Sequence, residues 1–243
     1  MNKYKIEIVT DADNLSRRAA EIFVDLASRA INEHGIFSVA LSGGSTPKKL
    51  YALLAAEPFR SNIEWTNAHF FFGDERNVPP GSDESNFRMA NEALFSKISE
   101  LPPENIHRVA GEKAAVDAAG DYEQELKDFF RNELPRFDLV LLGLGADGHT
   151  ASLFPDSPAL EENVRWFVEN WVEKFNSYRL TLTFPVLNNA LTILFLVAGA
   201  DKSEVLAQVL HGSEKNYPSQ MINPTGGELR WLIDQAAAAD EIR

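Results

Sequence analysis

Short apolar runs alternate with helical patterns along almost the entire chain, and this alternation restricts the fold more than any other feature. Residues 137–142 and 191–197 are almost wholly apolar, which is typical of strands buried on both faces of a sheet. Between such runs, apolar residues recur at helical spacing, for example over residues 19–31, with Gly35 following as a stop signal. This order predicts a single Rossmann-like α/β domain over residues 1–243, with a largely parallel sheet and helices on both faces.

The remaining elements can be placed from the same periodicities and from turn residues. Further strands are predicted over residues 6–9, 39–41, 69–72, 164–168 and 179–184. Helices are predicted to begin near Pro47, to follow Ser85, and to cover residues 116–130 and 202–210. Residues 229–233 fit either a last strand or a short helix.

The chain is acidic and lacks cysteine. Its formal net charge of −13 disfavours nucleic acid and anionic membranes as partners, and any anionic ligand must be met by a local group of cations. Without cysteine there can be no disulfide, thiolate zinc site or cysteine nucleophile.

The most apolar run, residues 191–200, is too short to span a bilayer, and residues 1–13 lack the apolar stretch of a signal peptide. We therefore expect a cytoplasmic protein, whose oligomeric state the sequence does not specify.

Polar segments that contain glycine follow three of the predicted strands, at residues 42–47, 73–76 and 143–149. The carboxyl ends of parallel strands meet at one edge of a sheet, and ligands bind at that edge in folds of this class. The three segments therefore predict where the functional site lies.

Residues 42–47 read Ser-Gly-Gly-Ser-Thr-Pro. Gly43 and Gly44 would let backbone amides approach an anion, and the helix start that follows adds unpaired N–H groups. Ser45 or Thr46 suits the cap of that helix. The spacing differs from that of a nucleotide-binding P-loop. Two interpretations stay open, a phosphate site and an ordinary capped turn.

Residues 73–76 read Gly-Asp-Glu-Arg. At a strand end, Asp74 could act as a base or orient a histidine, and Arg76 could bind a phosphate through its planar fork. The alternative is a solvated charged turn.

The glycines of residues 143–149 match the dinucleotide-binding pattern G-x-G-x-x-G. That pattern requires a helix directly after it, and Pro155 and Pro158 interrupt any such helix, so we reject NAD binding. What is left is a turn that presents Asp147 and His149 at the edge of the sheet. Histidine suits proton transfer near neutral pH, although a structural histidine that caps the turn is the alternative.

Lys174 and Arg179 lie close together at the start of a predicted strand. In an acidic chain, two such cations are candidates for binding an anion. The alternative is a pair of solvated charges at the edge of the sheet.

Together these segments resemble the 6-phosphogluconolactonase family. The most specific match is Gly-Leu-Gly-Ala-Asp-Gly-His-Thr-Ala-Ser-Leu-Phe-Pro at residues 143–155. A departure occurs at residues 175–178, Phe-Asn-Ser-Tyr, where the family usually has prolines that would stiffen the loop. The other matches, in the family's order, are residues 42–47, 73–76 and 85–87, Lys174 with Arg179, residues 179–183, and Trp231 with Asp234.

The resemblance implies a fold related to sugar-phosphate isomerases. It also implies hydrolysis of 6-phosphoglucono-1,5-lactone in the pentose phosphate pathway, without metal or organic cofactor. By position, His149 would be the base, with Asp74 and Asp147 around it. The implied pocket for phosphate and lactone comprises Ser42, Gly43, Gly44, Ser45, Thr46, Arg76, Lys174 and Arg179.

Two other functions fit parts of the pattern. Glucosamine-6-phosphate deaminases share the Asp-Gly-His turn, but that family has a carboxylate before the closing proline, where this chain has Phe154 before Pro155. A non-catalytic sugar-phosphate sensor could use the same fold. The presence of Asp74, Arg76 and His149 argues against it.

Overall fold

The computed structural model describes residues 4–212 and 216–238. Within these residues the chain forms nine strands and six α-helices. The strands are β1 (Lys5–Val9), β2 (Phe37–Leu41), β3 (Ala68–Phe72), β4 (Asp74–Arg76), β5 (Leu139–Leu142), β6 (Phe167–Val172), β7 (Ser177–Leu182), β8 (Thr192–Val197) and β9 (Glu228–Asp234). The helices are α1 (Ala12–His34), α2 (Ser45–Leu54), α3 (Asn86–Ala93), α4 (Ala115–Phe129), α5 (Phe184–Leu187) and α6 (Ser203–His211). Short 3-10 helices cover Arg60–Asn62, Trp65–Asn67, Phe95–Lys97, Pro103–Asn105, Pro158–Glu161, Glu173–Phe175, Ala200–Lys202 and Pro218–Met221.

A six-stranded parallel sheet in the order β1-β9-β8-β5-β2-β3 forms the centre of the molecule. Its inner strands β2, β5 and β8 are buried along their whole length, as their apolar sequences predict. Helices α1 and α2 pack against each other and against the sheet on one face. Parallel strands are normally joined by right-handed crossovers, and with this strand order such crossovers put α4 and α6 on the opposite face. The predicted fold class is confirmed.

The chain reverses its direction across the sheet between the adjacent strands β2 and β5. From β2 it moves outward to β3, whereas from β5 it moves the opposite way to β8 and β9. The loops that leave β2 and β5 therefore diverge, and a crevice opens between them at the carboxyl ends of the strands. The glycine-containing segments 42–47 and 143–149 border this crevice.

Helix α1 shows how local sequence signals set the element boundaries. The Asp11 side chain accepts hydrogen bonds from the N–H groups of Asp13 and Asn14, and Gly35 ends the helix in the left-handed region at φ 89°. The apolar face of α1 packs against the sheet. No helix in the described part of the chain is both long enough and apolar enough to cross a membrane.

A second, antiparallel sheet in the order β4-β7-β6 lies beside the first. It excludes the alternative that residues 73–76 form a solvated charged turn, because Asp74–Arg76 is a strand. The Leu182 N–H donates to the Gly73 carbonyl over 2.9 Å, and this bond continues the pairing of β4 with β7. In that register Arg76 lies directly opposite Arg179. The second sheet thus brings together two cations that are far apart in the sequence.

One predicted boundary changes, and one open alternative is decided. The strand predicted at 164–168 is β6, which begins only at Phe167, because the Glu162 carboxylate accepts the N–H groups of Val164 and Arg165 and holds them in a turn. Residues 229–233 are part of strand β9, not a helix. Pairing with β1 on one side and β8 on the other decides this, and such pairing cannot be inferred from local sequence.

Candidate active site

A cavity of about 330 Å³ occupies the crevice between β2 and β5. The second sheet closes one side of it. Its walls come from the loops after β2, β5 and β8 and from β4, β7 and the first residue of α3. The lining residues are Ser42, Gly43, Gly44, Asp74, Arg76, Asn86, Gly143, Leu144, Gly145, His149, Ala151, Ser152, Phe154, Phe175, Arg179 and Lys202.

His149 enters the cavity from the turn that follows β5. The Gly145 N–H donates to the His149 carbonyl over 2.9 Å, and the Gly148 N–H donates to the Gly145 carbonyl over 3.0 Å. The Nδ1 atom of His149 hydrogen-bonds the Asp147 carboxylate. Since a carboxylate can only accept, Nδ1 carries the proton and the lone pair of the neutral ring lies on Nε2. The Phe154 ring stacks on the imidazole with centroids 4.2 Å apart and fixes its plane.

The absence of a side chain at Gly145 allows this arrangement. A Cβ atom at Gly145 would lie 2.0 Å from Nδ1 of His149, far inside van der Waals contact. The imidazole therefore lies against the backbone of its own turn. Gly148 has a different role, because its φ of 72° is a left-handed conformation that closes the turn.

Asp147 connects His149 to Lys174. The Lys174 ammonium donates to Oδ2 of Asp147 over 3.2 Å. Partial burial would raise the pKa of Asp147, but the hydrogen bonds from His149 and Lys174, together with the electrostatic attraction of His149, outweigh it and lower that pKa to about 2. Asp147 therefore stays ionised throughout the neutral range. The Lys174 side chain is 64% exposed and lies outside the cavity lining, so it reaches the site through Asp147 and through the ring of Phe175, whose centroid is 5.6 Å from its Nζ atom.

Asp74 is buried in the cavity wall, where it binds neighbours other than His149. The Ser152 hydroxyl donates to its Oδ2 atom over 2.6 Å, and the Asn86 amide donates to its backbone carbonyl over 2.9 Å. Asn86 is in turn fixed by Glu75, whose buried carboxylate accepts the N–H groups of Asn86 and Phe87 at the start of α3. Glu75 and Asp74 thus hold the wall of the cavity together.

Arg76 and Arg179 face each other across β4 and β7. Arg76 donates to the backbone carbonyl of Glu84, and Arg179 donates to the Ser177 hydroxyl over 2.7 Å. Burial, together with the nearby charge of Arg76, lowers the pKa of Arg179 below its usual range. Neither guanidinium forms a salt bridge with a carboxylate of residues 4–212 or 216–238, so their positive charge is available to an anion.

The loop after β2 supplies backbone donors. Ser42, Gly43 and Gly44 line the cavity, whereas Ser45 and Thr46 are the first residues of α2 and do not. The predicted Ser/Thr cap is wrong, because Gly44 holds the cap position with φ 106° and no side-chain bond.

Helix α2 itself places this loop. Its first backbone bond runs from Lys48 N–H to the Gly44 carbonyl, so the amides of Ser45 and Thr46 precede the intrahelical ladder. Tyr51 fixes the loop by bonding both the N–H and the carbonyl of Ser42.

Sequence reasoning missed several residues of the cavity. Lys202 follows β8, and a cation after a predicted strand is a signal that could identify it, although the local pattern predicts only that a helix begins there. Asn86 and Ser152 belong to segments that match the family, but the sequence predicts no role for either residue. The sequence distinguishes Phe154 only as a difference from the deaminases and Phe175 only as a departure from the family's prolines.

Residues 10–231 match the family of glucosamine-6-phosphate isomerases/6-phosphogluconolactonase, and the chain belongs to this family. Its relatives include a 6-phosphogluconolactonase of Nostoc sp., 42% identical over 98% of each chain, and one of Synechocystis sp., 41% identical over 96% of each. The solved 6-phosphogluconolactonase of Trypanosoma cruzi is 31% identical with a TM-score of 0.86, over 96% of this chain and 95% of that one. These matches confirm the resemblance inferred from the sequence.

Proposed function

We propose that this chain hydrolyses 6-phosphoglucono-1,5-lactone to 6-phosphogluconate, as a step of the pentose phosphate pathway. The observation that carries the proposal is the juxtaposition in one cavity of His149, oriented by Asp147, and two arginines that form no salt bridge within the described residues. A base beside an anion-binding surface suits a substrate that carries both a reactive ester and a phosphate. The names of the relatives support the same reaction.

His149 acts first as a base and then as an acid. Its Nε2 atom takes a proton from a water molecule while the water oxygen bonds to C1 of the lactone. The bond between C1 and the ring oxygen then breaks, and the imidazolium gives its proton to that oxygen. Asp147 holds the ring in the required tautomer and stabilises the transient imidazolium, as the carboxylate does in other histidine-dependent hydrolases.

The phosphate is remote from C1, so its binding energy can orient the lactone without taking part in the chemistry. Arg76, Arg179 and Lys202 provide the positive charge, and the amides before α2 provide further donors. These cations lie in a protein with a net charge of −13. They create the local positive potential that an acidic enzyme needs in order to attract an acidic substrate.

We infer that water is activated without a metal ion. Three cationic side chains, Arg76, Arg179 and Lys202, line the cavity against one carboxylate, Asp74, so a divalent cation placed among them would meet net repulsion. Enzymatic opening of the lactone, measured above the spontaneous rate, should therefore be unchanged after exhaustive dialysis against a chelator. A loss of rate that zinc or magnesium restores would contradict this.

Replacing Arg179 by Lys keeps the charge but removes the planar fork that matches phosphate oxygens. We expect the Michaelis constant to rise and 6-phosphogluconate binding to weaken by about 1–3 kcal/mol, the range for a partly buried hydrogen bond to a charged group. The residual hydrolysis of unphosphorylated gluconolactone should hardly change. Steady-state kinetics with both lactones and calorimetric titration with 6-phosphogluconate provide the measurements.

The matched control is Arg165→Lys, because Arg165 pairs with Glu162 and Glu169 outside the cavity. It should leave both lactones unaffected. If Arg179→Lys damages the two lactones equally, Arg179 acts at the carbonyl or supports the fold, and its assignment to the phosphate is wrong.

A further inference from the structure

Phe175 is an apolar residue in an unusual place. It stands at the tip of the hairpin between β6 and β7, is 44% exposed, and lines the cavity. The tip is a short 3-10 turn, Glu173–Phe175, closed by Asn176 in the left-handed conformation at φ 46°. The direction of the Phe175 ring is therefore set by a tight turn.

The Phe175 ring lies against the guanidinium of Arg179, whose Cζ atom is 4.8 Å from the ring centroid. The ring also meets Phe154 edge-on at 5.6 Å, and Phe154 stacks on His149. The Lys174 ammonium lies farther from the same ring than Arg179 does, with Nζ 5.6 Å from the centroid. Phe175 thus joins the cationic side of the cavity to the side that carries the base.

Arg179 needs a partner that keeps its charge available. Arg76 lies opposite it and repels it, and the hydrogen bond to Ser177 occupies only one nitrogen. A carboxylate partner would neutralise the guanidinium and use its N–H groups. An aromatic face attracts the cation through the ring quadrupole and leaves the N–H edge open to a ligand.

We propose that Phe175 is a positioning residue that holds the Arg179 guanidinium over the face of its ring and keeps its N–H groups available to the substrate phosphate. This role rests on the proposed function, since it assigns Arg179 to the phosphate.

Phe175→Leu removes the aromatic face and keeps an apolar side chain. We expect it to weaken 6-phosphogluconate binding and raise the Michaelis constant about 5-fold, the size of a cation–π contact at a half-buried arginine. The turnover number and the hydrolysis of unphosphorylated gluconolactone should change little. Phe175→Trp, which retains a ring face, should keep wild-type affinity. In an Arg179→Gln background, Phe175→Leu should cause no further loss.

Tyr178→Leu is the matched control, because Tyr178 is an exposed aromatic residue of the same hairpin that packs on Trp171 and does not line the cavity. It should behave like wild type.

If wild-type protein binds no 6-phosphogluconate, the proposed function fails and this role fails with it. In two other outcomes wild type binds 6-phosphogluconate, and either Phe175→Leu binds it equally well or Phe175→Trp loses as much affinity as Phe175→Leu. Either result would overturn the role of the ring face and leave the proposed function standing. An equal fall in turnover number for both lactones would also overturn that role, since Phe175 would then act on His149 through Phe154.

Discussion

His149→Ala should lower the turnover number for the phosphorylated lactone by about 100-fold or more, the usual scale of general acid–base catalysis. Asp147 holds Nδ1, so the variant loses the one imidazole nitrogen that can take a proton from water inside the cavity. Binding of 6-phosphogluconate should change far less, because the cations that hold the phosphate are intact.

Spontaneous opening of the lactone must be subtracted at each concentration, since it could mask the loss. His211→Ala is a suitable control, because His211 is exposed at the far end of α6. Near-normal turnover by His149→Ala would remove His149 from the mechanism. His149 would then be a structural residue of the turn.

Gly145→Ala should lower the turnover number by a similar factor, although the substitution removes no ionisable group. The added methyl carbon would lie 2.0 Å from Nδ1 of His149, so the imidazole must move away from Asp147. A displacement of about 1 Å in a catalytic group typically costs about 100-fold in rate. Kinetics of the purified variant, with its folding checked by thermal unfolding, tests this directly.

Gly120→Ala is the matched control for this substitution. Gly120 lies within helix α4, and nothing is within 4 Å of the position its Cβ would take. Alanine is a better helix former than glycine by about 0.5–1 kcal/mol, so this variant should be fully active and slightly more stable. Wild-type turnover by Gly145→Ala would show that the imidazole does not need its close contact with the turn.

The parallel sheet could be predicted because strands buried on both faces have distinctive apolar sequences. The second sheet could not, since β4 reads Asp-Glu-Arg and becomes a strand only by pairing with β7, more than a hundred residues later. That pairing sets Arg76 opposite Arg179. It is a consequence of tertiary structure that no local pattern records.

The candidate site, like the fold, could be predicted only in part from local sequence. Glycine-containing segments after strands located the cavity, and the turn at residues 143–149 pointed to His149. Local pattern did not reveal that Lys174 pairs with Asp147 outside the cavity, or that Lys202 lies inside it. The fold alone does not choose the reaction, because a monomeric glucosamine-6-phosphate deaminase, 22% identical, has the same fold with a TM-score of 0.80.

The most direct test of the central claim is the rate at which purified protein converts freshly prepared 6-phosphoglucono-1,5-lactone to 6-phosphogluconate. The account predicts an acceleration over the spontaneous reaction that is proportional to protein concentration and is almost abolished in His149→Ala. A folded wild-type protein that leaves the lactone to open at the rate of the buffer blank would contradict it.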